Sequence, residues 1–168
     1  MLKLYVGCAL TEAPPEFRTS VAELKGVLKA QKLKNGEPKY EVLEFLGLVN
    51  GTPADVFHHD INECVGKCDL MLTIHDHPST GLGWEACEAV KVRGIPVLGT
   101  ALLDRKITRF VLGIPAHFKN FVFEPYRDLL EDVPKLLDKF VEEVKDEIWD
   151  PELGGPRWAF RPVRSYPD

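Results

Sequence analysis

The chain has 168 residues, enough for one domain with a full hydrophobic core and no need of a disulfide or metal staple. Its 26 acidic and 21 basic residues leave a net charge of −5, and Asp128 to Glu147, with eight acids against three lysines, supplies all of it. The near-neutral remainder offers no basic stripe to follow a nucleic-acid backbone, so a small, neutral to modestly anionic ligand is expected and nucleic acid is not.

Leu2 to Cys8 reads as a short buried strand, and the turn Gly7-Cys8-Ala9-Leu10-Thr11 after it is small enough to let a ligand reach the backbone. The apolar N-terminal run is far too short for a signal peptide, and no later run nears the ~20 residues of a membrane span, so a cytoplasmic protein without membrane contact is expected. Phe17, Val21, Leu24 and Leu28 mark a helix laid on a sheet. Asn35 to Pro38 ends that region, and Tyr40 to Phe45 is a second strand. Thr52-Pro53 can open a short helical turn. Asp60-Ile61-Asn62-Glu63 has the form of a capping box and predicts a helix from there through Cys68. Asp69 to Ile74 is the clearest central strand, followed by a polar loop, His75 to Thr80, and a glycine-flanked helix to about Arg93. Gly94 to Gly99 gives a turn and a fourth strand, and Asn120 to Phe123 a fifth. Leu129, Val133, Leu136, Leu137, Phe140, Val141 and Val144 form the apolar face of a last helix. Beyond it, Trp149 to Asp168 carries four prolines and four aromatics without period, either a free tail or an arm packed on its own or a neighbouring subunit. The expected division is therefore 1–148 as the domain and 149–168 as an arm.

Strands separated by helices imply a mostly parallel sheet covered on both faces, with ligands at the carboxyl ends of the strands. Three loops should meet there, after Val6, around Asp60, and from His75 to Glu85. Glu85 falls near the start of its predicted helix, where the unpaired N–H groups and the positive end of the dipole should keep it ionised. Such a carboxylate either merely supports the helix or attacks, or stabilises, the anomeric carbon of a sugar. Asp60 likewise reads as a cap or as a proton donor, and Asp69 as an orienting or structural carboxylate. Cys64 and Cys68, with the nearby histidines, lack a four-ligand spacing, so no metal is expected; Cys8 is the cysteine placed at the ligand loop. Neither a dinucleotide fingerprint nor a phosphate-loop lysine motif is present, and no cofactor is expected. All four cysteines should be free thiols.

Asp60 opening a helix, Asp69 opening an apolar strand, the run Gly81-Leu82-Gly83-Trp84-Glu85 and the closing Gly94-Ile95-Pro96-Val97 together resemble the nucleoside 2-deoxyribosyltransferase family, which includes the 2′-deoxynucleoside 5′-phosphate N-hydrolases. The similarity is tight over 59–98 and loose over about 3–147. It implies a flavodoxin-like three-layer α/β sandwich with five parallel strands. It implies Glu85 as the nucleophile that forms a glycosyl ester with C1′, and Asp60 as the acid that assists the departing base. Tyr5, Gly7 and Cys8 would line base and sugar, with Asp69, Gly81 and Gly83 around them. Ser79 would touch the 5′ side of the ligand, and Asn120 would be the polar contact offered to a neighbour's site in a homo-oligomer. Cys8-Ala9 replaces the glycine-serine of the phosphate-specific hydrolases, which tilts the expectation toward transfer between deoxyribonucleosides and free nucleobases. Hydrolysis of a nucleoside or its 5′-monophosphate is the alternative, and nucleotide binding without turnover a second one.

Overall fold

The structure, a computed structural model, describes residues 1–47 and 50–148. The expected arm, 149–168, lies outside the described residues. Five strands form one wholly parallel sheet in the order β2-β1-β3-β4-β5, with β1 Leu2–Cys8, β2 Tyr40–Leu43, β3 Leu70–Ile74, β4 Val97–Thr100 and β5 Phe121–Phe123. The expected doubly wound sandwich is therefore present, and all five strands fall where the sequence puts them. Both faces of the central strands are buried, which is why β3 reads as an apolar run interrupted only by Thr73 rather than as an alternation.

Side-chain parity along the strands assigns the two covering layers. Leu4, Val6 and Cys8 of β1, with Leu70, Leu72 and Ile74 of β3, face α1 (Pro15–Ala30) and α5 (Asp132–Ile148), meeting Val21, Leu24, Leu28, Val133, Leu137 and Phe140. Tyr5 and Met71 point the other way, toward Cys64, Val65, Leu82 and Ala89. That second layer is built from three helices: α2 (Pro53–His58), α3 (Thr80–Cys87) and α4 (Arg109–Gly113). Two of them do not stop where α-helical pitch stops. α2 runs on as a π-helical segment, His59–Val65, and α3 as another, Glu88–Arg93. Gly94, in the left-handed region at φ 68°, closes the second.

The helix around Asp60 begins earlier than expected. Its true N-cap is Thr52, whose hydroxyl accepts the Asp55 N–H at 3.3 Å while the Asp55 carboxylate accepts the Thr52 N–H at 2.8 Å. The capping-box reading of Asp60 is thus corrected: Asp60 lies inside a continuous helix, with its carboxylate released from that duty. None of the described helices is long and apolar enough to cross a membrane.

Candidate active site

β1 is the switch point of the sheet, with β2 on one side and β3 on the other, and the crevice opens beyond its carboxyl end. On the α2/α3 face of β1, Tyr5 is 1 % exposed and donates its hydroxyl to the carboxylate of Glu85. Gly7, two residues on, leaves no room for a side chain unless its neighbours shift. A Cβ there would stand 2.9 Å from Leu82 Cδ1, 3.0 Å from Met71 Cε and 3.1 Å from Glu85 Oε2. The bare backbone at Gly7 is what lets the first turns of α3 settle against β1 and bring Glu85 over the strand.

Ser79 caps α3, accepting the Leu82 N–H at 3.1 Å, so Glu85 is the sixth helical residue and sits in the second turn. This corrects the expectation of a carboxylate kept ionised by the helix N-terminus. Burial, reinforced by the negative charge of Asp60, pushes the Glu85 carboxyl up to about 8 despite the Tyr5 hydroxyl and the Lys25 ammonium. Asp60 is half-buried, and burial raises its carboxyl too, opposed by the Leu46 N–H that Oδ1 accepts at 3.3 Å and by His59 and Lys25. Raised that far beside the negative charge of Asp60, the Glu85 carboxyl keeps a proton near neutral pH.

Of three groups around this pair, Lys25 was not singled out by sequence, and His59 and Cys64 entered only among the histidines and cysteines set aside as metal ligands. Lys25 of α1 is 5 % exposed, bonds Glu44 Oε2 at 2.9 Å and lies 3.7 Å from the centre of the Phe45 ring. A lysine four residues after Val21 and three before Leu28, inside the apolar stripe of α1, was the available signal, since a charge on a core face is the informative exception. His59 and Cys64, on the π-helical segment, both reach the Glu44 carbonyl, at 2.8 Å and 3.4 Å. Nothing in the sequence marks that segment as π-helical.

The remaining expected residues divide. Cys8 faces the α1 layer, where with Lys25, Glu44 and Phe45 it lines a cavity of about 460 Å³. Burial drives its thiol up to about 11, so it is no ready nucleophile. Ser79 and Gly83 line a separate cavity of about 630 Å³ with Thr80, Lys106 and Arg109. Gly81 is exposed on the first turn of α3. Asp69 and Asn120 are corrected: both lie at the opposite, amino-terminal edge of the sheet. Asp69 Oδ2 accepts the Lys3 N–H at 2.7 Å, and the Asn120 amide donates to the Val90 and Ile95 carbonyls at 3.0 and 2.9 Å, bracing the turn into β4.

No family profile matches the chain. A relative from Methanosarcina mazei, named "Putative 2'-deoxynucleoside 5'-phosphate N-hydrolase 1", is 30 % identical over 82 residues, covering 49 % of this chain and 50 % of its own length. The chain thus spans about half the length of the curated relative it matches. Among solved structures, Clostridium botulinum BcmB, a CMP N-glycosidase, superposes with a TM-score of 0.56 at 17 % identity, over 80 % of this chain and 97 % of that one. The resemblance read from the motif recurs in sequence and in fold. A part of the Francisella novicida lysine decarboxylase LdcF, 18 % of its chain, shares the architecture too, with a TM-score of 0.51 at 12 % identity over 89 % of this chain. At such identities the solved structures speak for the fold, which serves more than one chemistry.

Proposed function

We propose that this protein is an N-glycosidase that hydrolyses the bond between base and sugar in a nucleoside 5′-monophosphate. The observation that carries the reading is the pairing of Glu85 and Asp60, two electrostatically coupled carboxyls at the carboxyl end of β1, one of them held by a buried tyrosine hydroxyl. The substrate class follows the names of the relative and of the structural neighbour, and the cationic rim formed by Lys106 and Arg109, beside Ser79, suits a 5′-phosphate.

In this mechanism the pair enters with one proton. The proton passes to Asp60, leaving Glu85 anionic and steadied by the Tyr5 hydroxyl. Glu85 attacks C1′, the glycosidic C–N bond breaks with its electrons moving to the base, and Asp60 delivers the proton to that base. Asp60, now a base, takes a proton from water, whose oxygen attacks C1′ and releases the sugar phosphate from Glu85. The proton is back on the pair.

Incubating the protein with a panel of nucleoside and deoxynucleoside monophosphates, and separating free base by chromatography, tests the reading. Wild type is expected to release base from at least one member, and Glu85→Gln to lose activity by roughly a thousandfold or more. Base release that survives Glu85→Gln would remove Glu85 from the chemistry; no release from any member would favour binding without turnover. A second reading, transfer of deoxyribose between bases, has its own support in Ala9, which stands where a phosphate-binding serine would be expected. Exchange of base on an unphosphorylated deoxynucleoside, seen only when a free acceptor base is added, would decide for it. Association of at least two copies belongs to the same reading, because Trp84 and Phe110, 55 % and 80 % exposed, flank the region of the 630 Å³ cavity.

A further inference from the structure

The π-helical segment His59–Val65 gathers a set of donors that the proposed reaction uses only in part. In a π-helix residues i and i+5 stack on successive turns, which sets His59 above Cys64 with Asp60 beside them. One ligand atom from each of the three lies within 4.8 Å of the other two. Two of them also converge on a fourth: the Glu44 carbonyl is 2.8 Å from His59 Nε2 and 3.4 Å from Cys64 Sγ. Asp60 is oriented from outside, its Oδ1 accepting the Leu46 N–H, in the manner of a ligating carboxylate fixed by an outer hydrogen bond. Cys68, the other cysteine of this stretch, is fully buried with its thiol on the Val65 carbonyl and takes no part.

We propose that His59, Asp60 and Cys64, with the Glu44 carbonyl, form a binding site for a divalent cation of the zinc class. A nitrogen, a sulfur and two oxygens make four ligands of mixed hardness. Thiolate and imidazole select zinc or cobalt over magnesium and calcium, which want oxygen alone. Binding replaces the proton on Cys64 and on His59 Nε2 by the metal, the thiol proton leaving to solvent and the imidazole hydrogen shifting from Nε2 to Nδ1. The site is not a cofactor site. It captures Asp60, so on the function proposed above, on which this consequence rests, an occupied site is an inhibited enzyme.

Cobalt titration of the full chain tests the site without any substrate. Wild type is expected to develop the near-ultraviolet thiolate-to-cobalt band together with the visible bands of tetrahedral cobalt, and both should vanish on adding one equivalent of zinc. Cys64→Ser should lose the near-ultraviolet band, His59→Asn should weaken binding at least tenfold, and Cys87→Ser, at the exposed cysteine, should leave both unchanged. Far-ultraviolet circular dichroism identifies any variant that has failed to fold; the Cys87→Ser comparison and wild type then still decide. Absence of the thiolate band in wild type, its persistence in folded Cys64→Ser, or its loss in Cys87→Ser would overturn the site. Where base release is found, zinc should suppress it in wild type and spare it in Cys64→Ser; undiminished release with the cobalt bands present would overturn the inhibitory role alone.

Discussion

Glu85 takes its character from depth rather than from the end of its helix. In the fold its carboxyl titrates at about 8 against an ordinary 4.5, so across that interval the native state holds a proton that the unfolded chain has released. Stability contributed by this group is therefore complete below about pH 4.5 and falls as pH rises toward 8. The loss is on the order of 5 kcal/mol, at ~1.4 kcal/mol for every pH unit that separates the folded and unfolded titrations. Urea unfolding from pH 5 to pH 8.5 should show wild type weakening and Glu85→Gln weakening much less; parallel curves would mean that Glu85 is not the buried acid described. Gly7 is the other residue on which the site turns. Gly7→Ala would drive a methyl into Leu82, Met71 and the Glu85 carboxylate at once, at a cost of about 1–3 kcal/mol as for other overpacked cores. Base release should drop at least tenfold by displacement of Glu85, and an unchanged rate would show that β1 and α3 can part without harm.

Among the elements, the helix that carries Asp60 shows best how a local signal reaches the chemistry. It starts at Thr52, and its capping box is the only side-chain cap described for the stretch that runs through to Val65. Thr52→Ala should lower stability by about 1 kcal/mol, measured by urea unfolding. Hydrogen exchange of the amides from Asp55 to Asp60 should rise in the same variant, since fraying would begin at the capped end; exchange confined to Asp55 and Val56 would uncouple the cap from Asp60. This helix also marks the boundary of what was legible beforehand. The five strands and the stripes of α1 and α5 could be read because period and apolar runs follow directly from burial on a covered sheet. Thr52-Pro53 and Asp60-Ile61-Asn62-Glu63 both carry start signals, and sequence cannot say that the first wins and the second is overridden inside a running helix. Glu85 and Asp60 were legible as a pair through a family motif, whereas Asp69 and Asn120, equally polar but each directly before a strand, belong to the far edge. Distance from one end of a strand to the other is invisible to a motif. Lys25 and Glu44 stayed hidden because their meeting joins α1 to the exit of β2, 19 residues apart.

At the scale of the whole molecule, the sheet is sealed on both faces, yet the outer surface of the α2/α3/α4 layer is not polar. Phe57 and Trp84 meet edge to face with ring centres 6.3 Å apart, and Phe110 and Leu112 are 80 % and 50 % exposed. We propose that a second copy covers it: sedimentation should find at least a dimer, with Phe110→Asp shifting the population to monomer; a monomeric wild type at micromolar concentration would reject the association. The same layer contains both widened turns, one holding Asp60 and one beginning three residues after Glu85. Each residue added to or removed from a helix rotates what lies beyond it by about 100°, so the direction of the Asp60 carboxylate depends on the phase of its helix from the cap at Thr52 as much as on packing. A kindred chain with ordinary pitch in the Asp60 helix would therefore match this one in two blocks offset by a single position there, and its own acid would have to be sought one step out of register.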